Sequence, residues 1–145
     1  MKWMTRARPK TDRIACPWLI RRFIDPEAEF VFVPPSELIE AAEREGAISF
    51  DAPGARYTHD GKLCTFEVLV RDHRLAEKDP ALGDLARIVH AADIAGEEQT
   101  HPFGAAISAI GTAGLDVEKD DHRLLERGMF VYDALYAWCL ANPDR

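Results

Sequence analysis

Apolar and polar positions divide this chain into two halves of different rhythm. In the first half, short apolar runs are separated by proline and glycine. Lys2–Thr5 has the length of a short strand, with a weak hydrophobic signal. Ile14, Trp18, Leu19 and Phe23 recur near one helical face, so residues 12–24 read as a helix whose start carries two residue types favoured as caps, Thr11 and Asp12. Pro17 lies inside that segment and predicts a kink or a fresh start, since it removes a backbone donor. Glu29–Val33 (EFVFV) has the composition and length of a buried strand. Pro34, Pro35 and Ser36 break it and open a helix through Glu45, with Leu38, Ile39, Ala41 and Ala42 available to pack; Gly46 supplies the stop. Ala47–Phe50 (AISF) is another short strand. A β-α-β-α-β order over 50 residues predicts a small, mainly parallel sheet with right-handed crossovers.

The second half is predicted mainly helical. Pro53-Gly54 and Asp60-Gly61 are turn signals, the second a candidate hairpin tip. Thr65–His73 (TFEVLVRDH) fits either a helix or a strand. Pro80–Ile94 places Leu82, Leu85, Ala86, Val89 and Ala92 near one face, with Pro80 tolerated in the first turn. Gly96–Pro102 is an acidic loop with Glu97, Glu98 and His101, and Phe103–Ala113 a helix of small residues. After a linker at Leu115–Lys119, Asp120 and Asp121 open a final helix to about Leu140. Its apolar stripe includes Leu124, Leu125, Met129, Tyr132, Leu135, Tyr136 and Cys139, and Gly128 offers close approach to another backbone. The fold class is α/β (or α+β), in one domain spanning residues 1–145: a sheet from the N-terminal half packed with a helical C-terminal half.

Charge sharpens this picture. The first 22 residues carry a net +6 and the remaining 123 a net −13. An overall charge of −7 argues against non-specific nucleic-acid binding. The absence of a long apolar run argues against a membrane-spanning helix, and MKWMTRARPK lacks a signal-peptide core. Three widely spaced cysteines do not make a disulfide framework. A cytoplasmic protein is expected, with a homo-oligomer left open.

Candidate chemistry concentrates at strand ends, because open α/β sheets bind ligands beyond the carboxyl ends of their strands. That rule brings Arg6, Asp12, Arg13 and Asp51 towards one place. A basic loop entering a helix start suits a small inorganic anion, with Arg6, Arg13, Arg21 and Arg22 as its ligands; the same arginines equally suit pairing with the acidic body. A second set suits a metal: His59, Glu67 and Asp93, with Asp51, Cys64 and Cys16 as additional candidates. Two carboxylates and an imidazole fit a divalent ion such as Fe, Mn or Zn, although His-x4-Cys-x2-Glu is no established zinc signature. An internal ion-pair network accounts for the same residues. His90 stands one helical turn before Asp93 as a further candidate. Cys16, beside a positive helix start, is the candidate reactive thiol, with a buried inert thiol as the alternative.

The strings DRIACPWLIRRFIDP, FVFVP, FDAPG, HDGKLCTFE, AAD, DDH and YDALYAWC follow one another along nearly the whole chain. Together they resemble the chromate-resistance family, in particular the C-terminal domain of its larger regulatory protein, here as a stand-alone chain. The resemblance implies a part in chromate resistance or in the oxidative stress that chromate causes. Its members have been linked to chromate-responsive regulation and to an iron-type superoxide dismutase activity. That family's pattern usually carries a basic residue where this chain has His90, so the resemblance gives His90 no ligand role. Three functions therefore remain: an oxyanion-binding domain, a metalloprotein acting on reactive oxygen species, and a non-enzymatic module that docks on an acidic partner. Whether the chain is an enzyme stays open.

Overall fold

A computed structural model describes residues 1–145. Its sheet has three parallel strands in the order β2-β1-β3, formed by Lys2–Arg6 (β1), Glu29–Val33 (β2) and Ile48–Ser49 (β3). The weakest strand signal in the sequence thus belongs to the central strand. The reason is that β1 is covered on both faces: Trp3 joins the main core with Phe30 and Phe50, whereas Met4 packs with Leu38, Ala41 and Ala42. A strand buried on both faces loses the alternation that marks a half-buried one.

Helix α1 (Asp12–Leu19) passes through Pro17 without stopping and continues into a π-helical turn at Ile20–Ile24. There the Asp25 N–H reaches back to the Ile20 carbonyl at 2.6 Å. The expected kink is therefore a change of winding after the proline, a known feature of helices under strain. Helix α2 (Leu38–Glu45) covers the other face of the sheet and ends on Gly46 at φ 64, as its sequence predicts. Thr65–Asp72 is helical (α3), which decides the open choice in that segment. A short α4 (Leu75–Lys78) precedes α5 (Pro80–Asp93), whose first turn is capped by Asp79 accepting from the Ala81 N–H at 3.2 Å. Helix α6 runs from Gly104 to Val117, so the expected linker after Ala113 is mostly helix. Helix α7 (Asp121–Ala141) starts on Asp120, which accepts from the Arg123 N–H at 2.9 Å.

One large apolar cluster joins α1, α3, α5 and α7 to one face of the sheet, with Trp18, Phe66, Leu69, Leu85, Ile88 and Leu125 wholly or almost wholly buried. Gly128 does allow close approach, but of a side chain: a Cβ there would strike Ile14 of α1. No helix is long and apolar enough to cross a membrane.

Candidate metal centre at the strand ends

The chain ends β1 at Arg6, enters α1 at Asp12, leaves β3 for Asp51, and closes α5 at Asp93. All four meet where strand ends face helix starts. Asp12 is wholly buried. Its carboxylate does not cap its own helix. Instead Oδ2 accepts from the Thr65 N–H at 2.9 Å and Oδ1 from the Phe66 N–H at 3.3 Å, the first donors of α3. Two unpaired N–H groups of a helix N-terminus are thus satisfied by another helix's side chain. Asp51 accepts from the Thr65 hydroxyl at 2.7 Å through Oδ1 and faces Arg6 and Arg13 at 3.5 Å each through Oδ2. The Asp51 carbonyl accepts from Arg6 Nε at 3.0 Å.

His59 enters from the loop between β3 and α3. Its Nε2 lies 3.2 Å from Asp93 Oδ2, 3.5 Å from Asp51 Oδ1 and 3.6 Å from Asp12 Oδ2. Donor atoms of Asp12, His59 and Asp93 all fall within 4.8 Å of one another. A tetrahedral centre with bonds of about 2.0–2.2 Å has edges of about 3.4 Å, so the spacing around His59 already suits one ion.

Crowding three carboxylates in a partly dry site costs free energy and shifts their pKa values. Burial, together with the charges of Asp93 and Asp51, raises the Asp12 pKa well above the usual carboxylate range. Burial and Asp51 raise that of Asp93. Burial pushes Asp51 the same way but is outweighed by hydrogen bonds from His59 and Thr65 and by the two guanidiniums, so Asp51 sits below its ordinary value. Hydrogen bonds to Asp12 and Asp51 lift His59 to about 10 despite its partial burial. The backbone is strained here as well: Arg8, Thr11 and Asp51 hold φ values of 58, 44 and 54. For non-glycine residues such conformations cost on the order of 1 kcal/mol or more each, and they cluster at functional sites.

The structure brings His59 and Asp93 together as the sequence suggests, with Asp51 beside them, and puts Asp12 rather than Glu67 in the third place. Glu67 Oε1 instead accepts from the Cys64 N–H at the start of its own helix at 3.0 Å. The same oxygen lies 2.6 Å from His90 Nδ1, and His90 Nε2 lies 3.8 Å from Glu97. Glu67 therefore holds the start of α3, which in turn holds Asp12. The strand-end rule places Asp12 beside Asp51; the capping role expected of it at the start of α1 kept it out of the candidate metal set.

Cys16 is corrected more sharply. It is fully buried, its Sγ lies 3.6 Å from Asp12 Oδ1, and burial followed by the Asp12 charge raises its pKa well above normal, so the thiol is not activated. Cys64 is likewise buried, with its pKa raised by burial and by Asp12. The four arginines expected to bind an anion do not share one centre. Arg6 and Arg13 face Asp51, whereas Arg21 pairs with Glu126 at 2.9 Å and Arg22 with Asp133 at 2.9 and 3.1 Å, both on α7. Arg8 is taken by Asp121 and by the carbonyls of Leu115, Glu118 and Lys119.

Residues 3–139 match the family model described as ChrB, C-terminal domain. The chain belongs to the ChrB family. It is 36% identical over 135 residues to Protein ChrB of Cupriavidus metallidurans, an alignment that covers 93% of this chain and 40% of that protein. The chain thus spans well under half the length of this curated relative. No solved structure matches it. The match bears out the resemblance to the chromate-resistance family, and the chain is a chromate-resistance-related protein.

Proposed function

We propose that this ChrB-family domain works in chromate resistance through a divalent metal ion held by Asp12, His59 and Asp93. The observation that carries this reading is the meeting of an imidazole and two carboxylates, with donor atoms within 4.8 Å of one another, on a wholly buried Asp12. Two carboxylates and a neutral imidazole balance a divalent charge and suit Fe, Mn or Zn. Three protein donors leave positions open for water or substrate, as catalytic metal sites do and structural ones rarely do.

An oxyanion held directly by the arginines fits less well. The groups that would draw it are engaged by the protein's own carboxylates: Arg6 and Arg13 by Asp51, the α3 N-terminus by Asp12. With iron as the ion, the centre suits a superoxide dismutase-like activity. The feature favouring that version is Arg6, which is held by Asp51 and so does not bind an anion itself, yet is a third exposed (32%) and keeps a positive group at the edge of the centre.

Metal analysis of protein purified without a histidine tag is the test. Wild type is expected to carry close to one equivalent of metal, and His59→Ala and Asp93→Ala to carry none. Added metal is expected to raise the melting temperature of wild type alone. Equal metal content in all three proteins sinks the site. Superoxide turnover by the iron-loaded protein and not by the zinc-loaded one would establish the enzymatic version; equal inactivity of both removes it.

A further inference from the structure

Helix α6 carries no charged residue from Gly104 to Leu115, yet much of it faces solvent, with Ile110 and Val117 both exposed. Across from it, Phe130 of α7 is 76% exposed. Between these helices and the loop before α1 lies a cavity of about 310 Å³, almost wholly apolar and walled mainly by Ile14, Ile107, Leu124 and Val131. Glycines make the room. A Cβ on Gly111 would sit 2.7 Å from Thr11 Oγ1 and one on Gly128 would strike Ile14, so the helices close at the base, while Gly114 leaves the wall above free.

The polar side chains of the lining are few: Thr11 and Tyr132, both buried, and Glu118 with the exposed Arg127, 3.4 Å apart. Thr11 directly precedes Asp12. Tyr132 lines the cavity while almost wholly buried.

We propose that this cavity is a binding site for a compact, mainly apolar molecule of bicyclic aromatic size bearing one hydrogen-bonding group, seated against Tyr132 and Thr11. Size supports that class: an apolar cavity of roughly 150 Å³ holds benzene, and this one has about twice that volume. So does the lining, because an apolar recess with a few polar groups is the ordinary form of a small-molecule site. The inference stands on the cavity and goes beyond the metal reading, whose failure leaves it intact.

Indole and 2-naphthol, titrated into the full chain as isolated and followed by calorimetry and ligand-observed NMR, are the probes. Saturable binding with one site per chain is expected for both. Ala113→Trp, at an exposed position on the cavity wall, should weaken both by at least about tenfold, as expected when a filled cavity denies the probe its apolar burial, with metal content unchanged. Should that variant fail to fold, Gly114→Ala narrows the same space, since its methyl meets only Leu124 Cδ1 at 3.7 Å; weaker binding is expected there too. Absence of saturable binding to wild type, or undiminished binding to the filled variant, overturns the proposal. So does concentration-dependent dimerisation that Ala113→Trp abolishes without any probe binding, because the face would then belong to a second copy of the chain.

Discussion

The two ends of the first helix use the same chemistry under opposite conditions. At its start, Arg13 and Asp51 face each other at 3.5 Å with 14% and 7% of their side chains exposed. Near its end, Arg22 and Asp133 make a closer, two-point pair at 2.9 and 3.1 Å, with 44% and 45% exposed. Distance alone would rank the second pair higher. Burial reverses that order, since exposed pairs exchange water for each other with little net gain, whereas removing one member of a buried pair leaves a charge uncompensated. The first pair, moreover, belongs to a network with Arg6, Thr65 and His59, while the second serves chiefly to seat α1 on α7. Adjacent arginines in a sequence are not adjacent in purpose.

The contrast can be broken most forcefully at Asp12. Asp12→Ala strands the Thr65 and Phe66 N–H groups and should cost about 3–5 kcal/mol in urea unfolding, with complete loss of metal. Asp12→Asn sharpens the result: its single amide oxygen still accepts from one of those donors while its NH2 faces the other, so only part of the stability should return and metal should not. Equal losses in both variants would mean that charge, and not hydrogen bonding, secures this end of the helix.

Arg13→Met comes next, at about 1–3 kcal/mol, because Asp51 loses one of two guanidiniums and keeps its buried charge. A change of pH acts on the same end. The His59 pKa is raised from 6.5 to about 10, so its stabilising contribution is complete below pH 6.5 and is lost as pH climbs towards 10; Asp12, also raised, works in the same direction. Metal-free protein should therefore melt lower with each step from pH 7 to 10. Metal affinity should rise over that range, by roughly tenfold per pH unit for each proton displaced. A flat melting profile would mean that His59 carries no extra proton in the folded state.

The smallest effect is expected at the other end. Arg22→Ala should cost about 0–1 kcal/mol by denaturant midpoint, partly because Asp133 keeps the Trp18 indole N–H at 2.7 Å. A loss equal to that of Arg13→Met would show that burial is not what separates the two ends.

Much of this was legible in the sequence. Strand and helix periodicity gave the order of elements in the first half, and the strand-end rule brought Arg6, Asp12, Arg13 and Asp51 to one place. Composition could not say which carboxylate faces His59. Glu67 lay nearer in sequence, but its place three residues after the cap position turns it back on its own helix, and that depends on Thr65–Asp72 being helical. The fate of Cys16 also needed the fold: proximity to a helix start predicts activation, and the thiol's own complete burial, followed by the Asp12 charge beside it, reverses the sign. Pro17 marks a local disturbance and not a helix end. The rule for proline in a helix is energetic, and the wider turn after it absorbs the disruption without ending the helix.

Arg8 to Asp121 and Trp18 to Asp133 join residues separated by 113 and 115 positions. Chains are synthesised from the N-terminus at about 5–20 residues per second, so Trp18 waits roughly 6–23 s for its partner. Throughout that interval Ile14, Trp18 and Phe23 have no seventh helix to lie on, and the growing chain presents an apolar face for chaperones to hold. The first helix is made early and seated last.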